Sequence, residues 1–314
     1  MSVTSTARLM DGTVLAARII TEAAERAAEI SRRTGTGTGT GSSTSTSPGT
    51  DTGTGIVPCL ATVLVGDDPA SATYVRMKQA RCRKAGIDSR RITLPVTATT
   101  ADVVDAVTAL SSDPSVHGIL LQHPVPEQVD ERAAFEAIDP AKDVDGVTLH
   151  SYATMSFGLP GFASCTPGGI MRLLDEYGVD PAGRRAVVVG RSPILGKPIG
   201  MLLLGRDATV TYCHSRTVDL HAITRDADIL VAAVGRPGFI PGSAIKPGAV
   251  VIDAGYNPGN IGDVDFESAR SVAGLITPVP GGVGPMTIAM LLEQTVTAAE
   301  RQLGLDREPV VAHS

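Results

Sequence analysis

The chain is predicted to be an α/β protein of two α/β domains with a cleft between them. Three observations carry this. Short runs of Val, Ile, Leu and Ala without polar alternation recur between helical patterns, as strands buried on both faces of a parallel sheet do. The alternation comes in two series, one closing near residue 138 and one opening near Thr166. A length of 314 residues is also long for a single core.

Taken in order, residues 12–33 predict a helix, with Val14, Leu15, Ile19, Ala23, Ala27 and Ile30 near helical spacing. The tract from Thr34 to Gly55 is Gly, Thr and Ser with little that can bury area, and is expected to be a disordered spacer. The first series then reads strand 59–66, helix 71–85, strand 90–95, helix 100–111, strand 116–122 and helix 127–138. In the second, Thr166 is placed as an N-cap with Pro167 at the first helical position, opening a helix to Tyr177. Strand 185–190, helix 197–205, strand 208–213, helix 218–225 and strands 227–235 and 248–255 follow. Residues 286–303 form a last amphipathic helix.

Composition narrows the function. A net charge of −6 with no basic block argues against nucleic acid. Apolar runs fall short of the ~18 residues a membrane helix needs. Cys59, Cys82, Cys165 and Cys213 are scattered without a CxxC pair, so no metal site is signalled and a reducing compartment is expected. The N-terminus has no apolar signal core and carries Asp11, Glu22, Glu25 and Glu29, unlike a transit peptide. A cytoplasmic protein is the expectation.

The stretch "VVVGRSPILGKP" (187–198) sets a glycine turn between a strand and a helix N-terminus. Backbone N–H groups and the helix dipole there favour an anion such as a dinucleotide phosphate. The spacing is not GxGxxG, and a plain tight turn has the same pattern. The next strand adds information. An NAD site usually has a carboxylate at its end for the ribose hydroxyls, whereas this one runs Cys213-His214-Ser215-Arg216. With Arg191 and Ser192 in the first turn, a 2′-phosphate fits better, so NADP is favoured over NAD.

The first series carries its own candidates. Tyr74 and Lys78 are four apart and share a helix face. Either Tyr74 packs while Lys78 reaches water, or both enter a pocket. Gln122 stands at the carboxyl end of a buried strand, where open α/β sheets bind ligands. In "KDVDG", Asp143 can pair with Lys142 or cap the turn, and Asp145 can accept from a ligand's N–H groups. The Pro/Gly-rich stretch 277–287 is either a connector or a loop whose backbone approaches a flat ligand.

Together the stretches "SATYVRMK", "GILLQHPVP", "KDVDG", "CTPGG", "VVVGRSPILGKP", "VTYCHS", "VIDAG", "GDV" and "PVPGGVGPMT" resemble, in order and spacing, the bifunctional methylenetetrahydrofolate dehydrogenase/methenyltetrahydrofolate cyclohydrolase family. The resemblance covers nearly the whole chain outside the spacer and the last few residues. It implies a homodimer that oxidises 5,10-methylenetetrahydrofolate with NADP and hydrolyses the methenyl product to 10-formyltetrahydrofolate. It implies a folate-binding catalytic domain of residues 1–150 plus 286–314, and a Rossmann-type NADP-binding domain of 151–285. Carried over by motif, Tyr74, Lys78, Gln122 and Asp145 are the catalytic residues. Val75, Arg76, Met77, Leu121, His123, Pro280, Gly281, Gly282, Val283 and Gly284 join them at the folate, and Gly190, Arg191, Ser192, Ser215 and Tyr256 lie at the cofactor. In this reading Tyr74 stacks on the pterin and Asp145 binds its N–H groups. Lys78, ordinarily near ~10.4, serves as acid and base if burial brings it toward ~7–8.

The chain departs from the family pattern at the spacer, at His123 where leucine is common, in the segment 150–158, and at Tyr256 where a small aliphatic residue is common. For His123 a structural role is expected over an acid–base one. A dehydrogenase-only member of the family, or another NADP-dependent oxidoreductase, is the alternative. Lys78 with Gln122 and the "PGGVGPMT" loop count against these.

Overall fold

Strand β2 (Cys59–Val65) has no charged residue, and all seven of its side chains are buried. Such a strand needs a neighbour on each edge. β3 (Asp88–Leu94) pairs with it on one side and β4 (Gly118–Leu121) on the other, both parallel. β3 is an edge strand and exposes Asp88, Arg91 and Thr93, the polar guard that free edges need. The computed structural model describes residues 6–35, 55–66 and 78–305. The spacer falls outside them, except for Thr34 and Gly35, which end helix α1 (Gly12–Gly35), and Gly55.

Among the described residues the strands form two parallel sheets, a three-stranded one ordered β3-β2-β4 and a six-stranded one. The chain divides into two units, Met1–Ile19 with Asp143–Leu291 and Ile20–Lys142 with Leu292–Ser314. The smaller sheet belongs to the second of these. Helices α1 and α10 (Val283–Gln302) each contribute residues to both units. No helix among the described residues is long and apolar enough to cross a membrane.

The six-stranded sheet contains β1 (Arg8–Leu9), β5 (Arg185–Val189), β6 (Thr209–Cys213), β7 (Ile229–Ala232), β8 (Val250–Asp253) and β9 (Leu275–Ile276), in the order β1-β9-β8-β7-β5-β6. β6 follows β5 to one side of it, and the chain then returns to place β7 on the other side. The carboxyl end of β5 is therefore a topological switch point, where doubly wound sheets bind ligands. Helix α7 (Gly196–Leu204) connects β5 to β6 and α8 (Leu220–Thr224) connects β6 to β7.

Several predicted bounds shift, each for a local reason. Helix α6 (Cys165–Glu176) begins after Ser164 rather than Thr166, and the Ser164 hydroxyl donates to the Gly146 carbonyl at 2.7 Å instead of capping the helix. Pro167 then sits inside the first turn, tolerated because N–H groups there have no intrahelical partner. The helix predicted over 127–138 is only α4 (Glu131–Glu136), because Asp130 caps it, accepting from the Ala133 N–H at 3.1 Å. Helices α2, described from residue 78 to 84, and α3 (Thr100–Ser112) lie within or close to the expected ranges. Helices α5 (Leu149–Ser156) and α9 (Phe266–Arg270) and strands β1 and β9 were not predicted.

Candidate active site

Lys78 opens the described part of α2 and is only 6% exposed. Its Nζ donates to Oε1 of Gln122 at 3.2 Å. Gln122 directly follows β4, and its backbone N–H donates to the Val63 carbonyl of β2 at 2.8 Å. Its side-chain Nε2 donates to the carbonyl of His123 at 2.9 Å. With its N–H₂ end committed there, the amide must turn its oxygen toward the ammonium. Snorkelling of Lys78 to open water is thereby ruled out as its arrangement. Leu121 is buried in β4, leaving only its backbone for any ligand. His123 meets Phe135 edge-on, with ring centroids 6.3 Å apart. Tyr74, Val75, Arg76 and Met77 lie outside the described residues.

The "KDVDG" stretch separates into distinct roles. Lys142 does not pair with Asp143; it donates to the carbonyls of Leu110 and Asp113 at 3.4 and 2.7 Å, at the end of α3. A cation is favoured there by the helix dipole. Asp143, fully buried, accepts from the N–H groups of Val147 and Thr148 and from the Ser151 hydroxyl, at 3.1, 2.9 and 2.6 Å. It builds the turn into α5. Asp145 is half-buried, and its carboxylate makes no hydrogen bond to the described residues. The capping reading of Asp143 is correct, and Asp145 is left available.

The predicted loop 280–284 is shorter than expected, because Val283 and Gly284 already belong to the first turn of α10. Its glycines differ in purpose. Gly281 has φ 109, and its carbonyl accepts the Gly12 N–H at 2.8 Å. A Cβ on Gly282 would stand 2.6 Å from the Pro278 carbonyl oxygen, whereas one on Gly284 would meet open space. The first two shape the turn, and only Gly284 leaves room beside it. Pro280 and Gly284 are exposed and Val283 is buried.

At the carboxyl end of β5, Gly190 has φ 139, and a Cβ on it would lie 2.2 Å from the Ala233 carbonyl oxygen. A Cβ on Gly196 would lie 2.6 Å from the Gly190 carbonyl oxygen. The turn thus packs backbone on backbone before α7. Ser192 Oγ accepts the N–H groups of Leu195 and Gly196 at 3.1 and 3.4 Å, and Arg191 beside it is exposed. The Gly190 N–H donates to the Cys213 carbonyl at 2.9 Å, which joins this turn to the one after β6. There His214 N–H donates to Thr217 Oγ1 and Arg216 N–H to His214 Nδ1, leaving Ser215 and Arg216 exposed. Tyr256 is 75% exposed and its hydroxyl donates to Asn260 Oδ1 at 3.0 Å.

The model of the tetrahydrofolate dehydrogenase/cyclohydrolase catalytic domain matches residues 10–145, and that of the corresponding NAD(P)-binding domain matches residues 164–303. The chain belongs to the tetrahydrofolate dehydrogenase/cyclohydrolase family. Bifunctional protein FolD 1 of Streptomyces avermitilis is 69% identical over 98% of this chain and 100% of its own length. The bifunctional FolD enzyme of Campylobacter jejuni superimposes with a TM-score of 0.85 at 40% identity, covering 94% of this chain and 99% of that one. The Trypanosoma brucei methylenetetrahydrofolate dehydrogenase-cyclohydrolase, solved with NADP and an inhibitor, gives 0.86 at 35% identity, covering 95% and 99%. The chain is accordingly a bifunctional enzyme, an NADP-dependent methylenetetrahydrofolate dehydrogenase and a methenyltetrahydrofolate cyclohydrolase.

The donor set fits the dinucleotide that this family uses. The turn at Gly190 and Gly196, too closely packed on backbone to admit a Cβ, opens helix α7 at a switch point, beside exposed Arg191, Ser192, Ser215 and Arg216. Sequence reasoning passed over two residues nearby. Asp253 ends β8 at 3% exposure, and Asp263 is fully buried. Burial pushes the Asp253 carboxyl up to about 6, against the N–H groups of Val264, Asp263 and Gly255, which pull it down. The available signal was an acid closing an otherwise apolar strand, "VVID", and a second one ten residues on in "GDV".

Proposed function

We propose that Lys78 is the acid–base group of the cyclohydrolase step, held by Gln122, and that the dehydrogenase step draws on a separate set of residues. The 3.2 Å contact between Lys78 and Gln122 in a buried setting supports this reading. Hydrolysis of the methenyl bridge needs water to add at the bridging carbon, one carbon–nitrogen bond to break, and a proton to reach the departing nitrogen. A single amine can take a proton from the water and return it to that nitrogen. Gln122 positions the amine without a negative charge that would lock it as ammonium.

Around this pair, Tyr74 offers a ring to the flat pterin, and Asp145 can accept from its amino group and ring N–H. Val75, Arg76, Met77, Leu121, His123 and Pro280 to Gly284 complete the folate contacts. Gly190, Arg191, Ser192, Ser215 and Tyr256 contact NADP, with Arg191, Ser215 and Arg216 reading its 2′-phosphate. NADP, when bound, takes up the hydride; these residues bind and orient it. Residues 1–150 with 286–314 serve the folate and 151–285 the cofactor. We read the enzyme as a cytoplasmic homodimer. Its four buried cysteines, far apart in sequence and without a CxxC pair, agree with a reducing compartment, and its family resemblance supports the dimer.

Lys78→Met tests the assignment. It is expected to abolish methenyl hydrolysis while NADP binding and the circular dichroism spectrum persist. Normal hydrolysis by the purified variant would remove Lys78 from the mechanism.

A further inference from the structure

Asp263 and Asp253 are two buried carboxylates that the reactions described above do not use. Asp263 accepts four N–H bonds. Its Oδ2 takes those of Val234 and Gly235 at 2.6 and 2.9 Å, and its Oδ1 takes the Arg236 N–H at 2.8 Å and Asn257 Nδ2 at 3.1 Å. Three consecutive backbone N–H groups converging on one anion make a nest, here filled by the chain's own carboxylate. Gly235, at φ 64, allows the convergence.

Asp253 braces this clamp. Its Oδ1 accepts the N–H groups of Asp263 and Gly255 at 2.9 and 3.0 Å, and its Oδ2 accepts that of Val264 at 2.9 Å. The clamped segment continues from backbone that the dinucleotide turn touches. Ala233 N–H donates to the Val189 carbonyl at 2.8 Å, and the Ala233 carbonyl is the group a Cβ on Gly190 would strike. Gly235 and Arg236 are nonetheless exposed, the Arg236 guanidinium lying 4.5 Å over the Phe239 ring, while their backbone N–H groups turn inward. Their order comes from within, through Asp263.

We propose that Asp263, braced by Asp253, is a positioning residue for NADP, holding backbone 233–236 and Asn257 in a preformed surface beside the Gly190 turn. The inference rests on the cofactor site proposed above. A segment already ordered spares the ligand the cost of ordering it, so loss of the clamp weakens binding. Asp263→Asn keeps the shape but turns an N–H₂ group toward N–H donors. It leaves at least one of them unsatisfied.

The test measures NADP affinity by titration calorimetry on the full chain, alongside cyclohydrolase activity with methenyltetrahydrofolate supplied and no NADP present. Asp263→Asn is expected to raise the NADP Kd about ten-fold or more, as loss of a charged hydrogen bond does, with hydrolysis within about two-fold of wild type. Asn257→Ala, which removes one donor, is expected to weaken NADP less but in the same direction. It carries the test if Asp263→Asn does not fold. An unchanged Kd in a folded variant overturns the proposal, as does a parallel loss of affinity and hydrolysis, which would mark a general structural role. Arg191→Ala separates this from the site itself. If Arg191→Ala weakens NADP and Asp263→Asn does not, only the positioning role fails. If neither weakens it, the cofactor assignment fails with it.

Discussion

Gln122 shows how a neutral side chain can fix a charged one: a single bond to the His123 carbonyl decides which end of its amide faces Lys78. Arg191 is the opposite case, an exposed cation whose guanidinium makes no hydrogen bond or ion pair among the described residues. Arg191→Ala should raise the Michaelis constant for NADP by about ten-fold or more, the scale of a lost charge-assisted bond, and that for NAD far less. Equal losses in steady-state assays with both cofactors would show that Arg191 does not read the 2′-phosphate. His117 offers a pH test. It is 2% exposed, and its Nδ1 accepts the Cys59 N–H at 3.0 Å, which requires that nitrogen unprotonated. Burial, then the nearby Lys142 charge, hold its pKa below the ordinary value. The folded state therefore binds the proton less well than the unfolded chain. The stability involved is present above roughly pH 6.5 and is lost as pH falls below it. His117→Asn keeps an acceptor and removes the titration. Its Tm should fall less than that of wild type between pH 7 and 5.5, and identical slopes would contradict this.

Elements with a strong period were legible in the sequence. The helix from residue 12 and the apolar strands at 59, 185, 229 and 250 depend on local pattern alone, and they stand close to where that pattern puts them. What was missed depends on partners distant in sequence. Strands β1 and β9 are two residues each: β1 exists by pairing with β9, and β9 by pairing with β1 and β8. Helix α5 starts where Thr148 Oγ1 accepts the Ser151 N–H while the buried Asp143 carboxylate accepts the Thr148 N–H and the Ser151 hydroxyl, a signal without periodicity. Helix α10 starts early because Gly281 and Gly282 already turn the chain against Gly12. At the site, helix spacing and strand ends marked Lys78 and Gln122 separately and the family resemblance joined them, whereas the bonds of Asp263 run to backbone groups that no spacing reveals. The spacer offers an element-scale test. The residues flanking it meet: Ile56 N–H donates to Thr34 Oγ1 at 2.7 Å and Ser31 Oγ donates to the Ile56 carbonyl at 2.9 Å. Replacing residues 36–54 with a short Gly-Ser link should leave both activities within about two-fold and stability unchanged or slightly raised, since each halving of a loop changes closure entropy by only ~0.6 kcal/mol. A folded deletion variant without catalysis would assign the spacer a role.

Across the molecule, the same rule places chemistry in both sheets. Gln122 follows the carboxyl end of β4 and Gly190 that of β5, the ends where parallel sheets leave backbone and side chains open to ligands. In the reading proposed above, the glycine turn and the absence of a carboxylate at the end of β6 suit one sheet to NADP, and the buried lysine–glutamine pair suits the other to hydrolysis. One spectrophotometric run on purified wild-type enzyme, with methylenetetrahydrofolate and either NADP or NAD, follows reduced nicotinamide and the methenyl compound together. The expected result is faster nicotinamide reduction with NADP than with NAD, and a methenyl signal that stays well below the reduced cofactor because it is hydrolysed as it forms. Methenyl compound accumulating in step with reduced nicotinamide, or equal rates with both cofactors, would contradict the account.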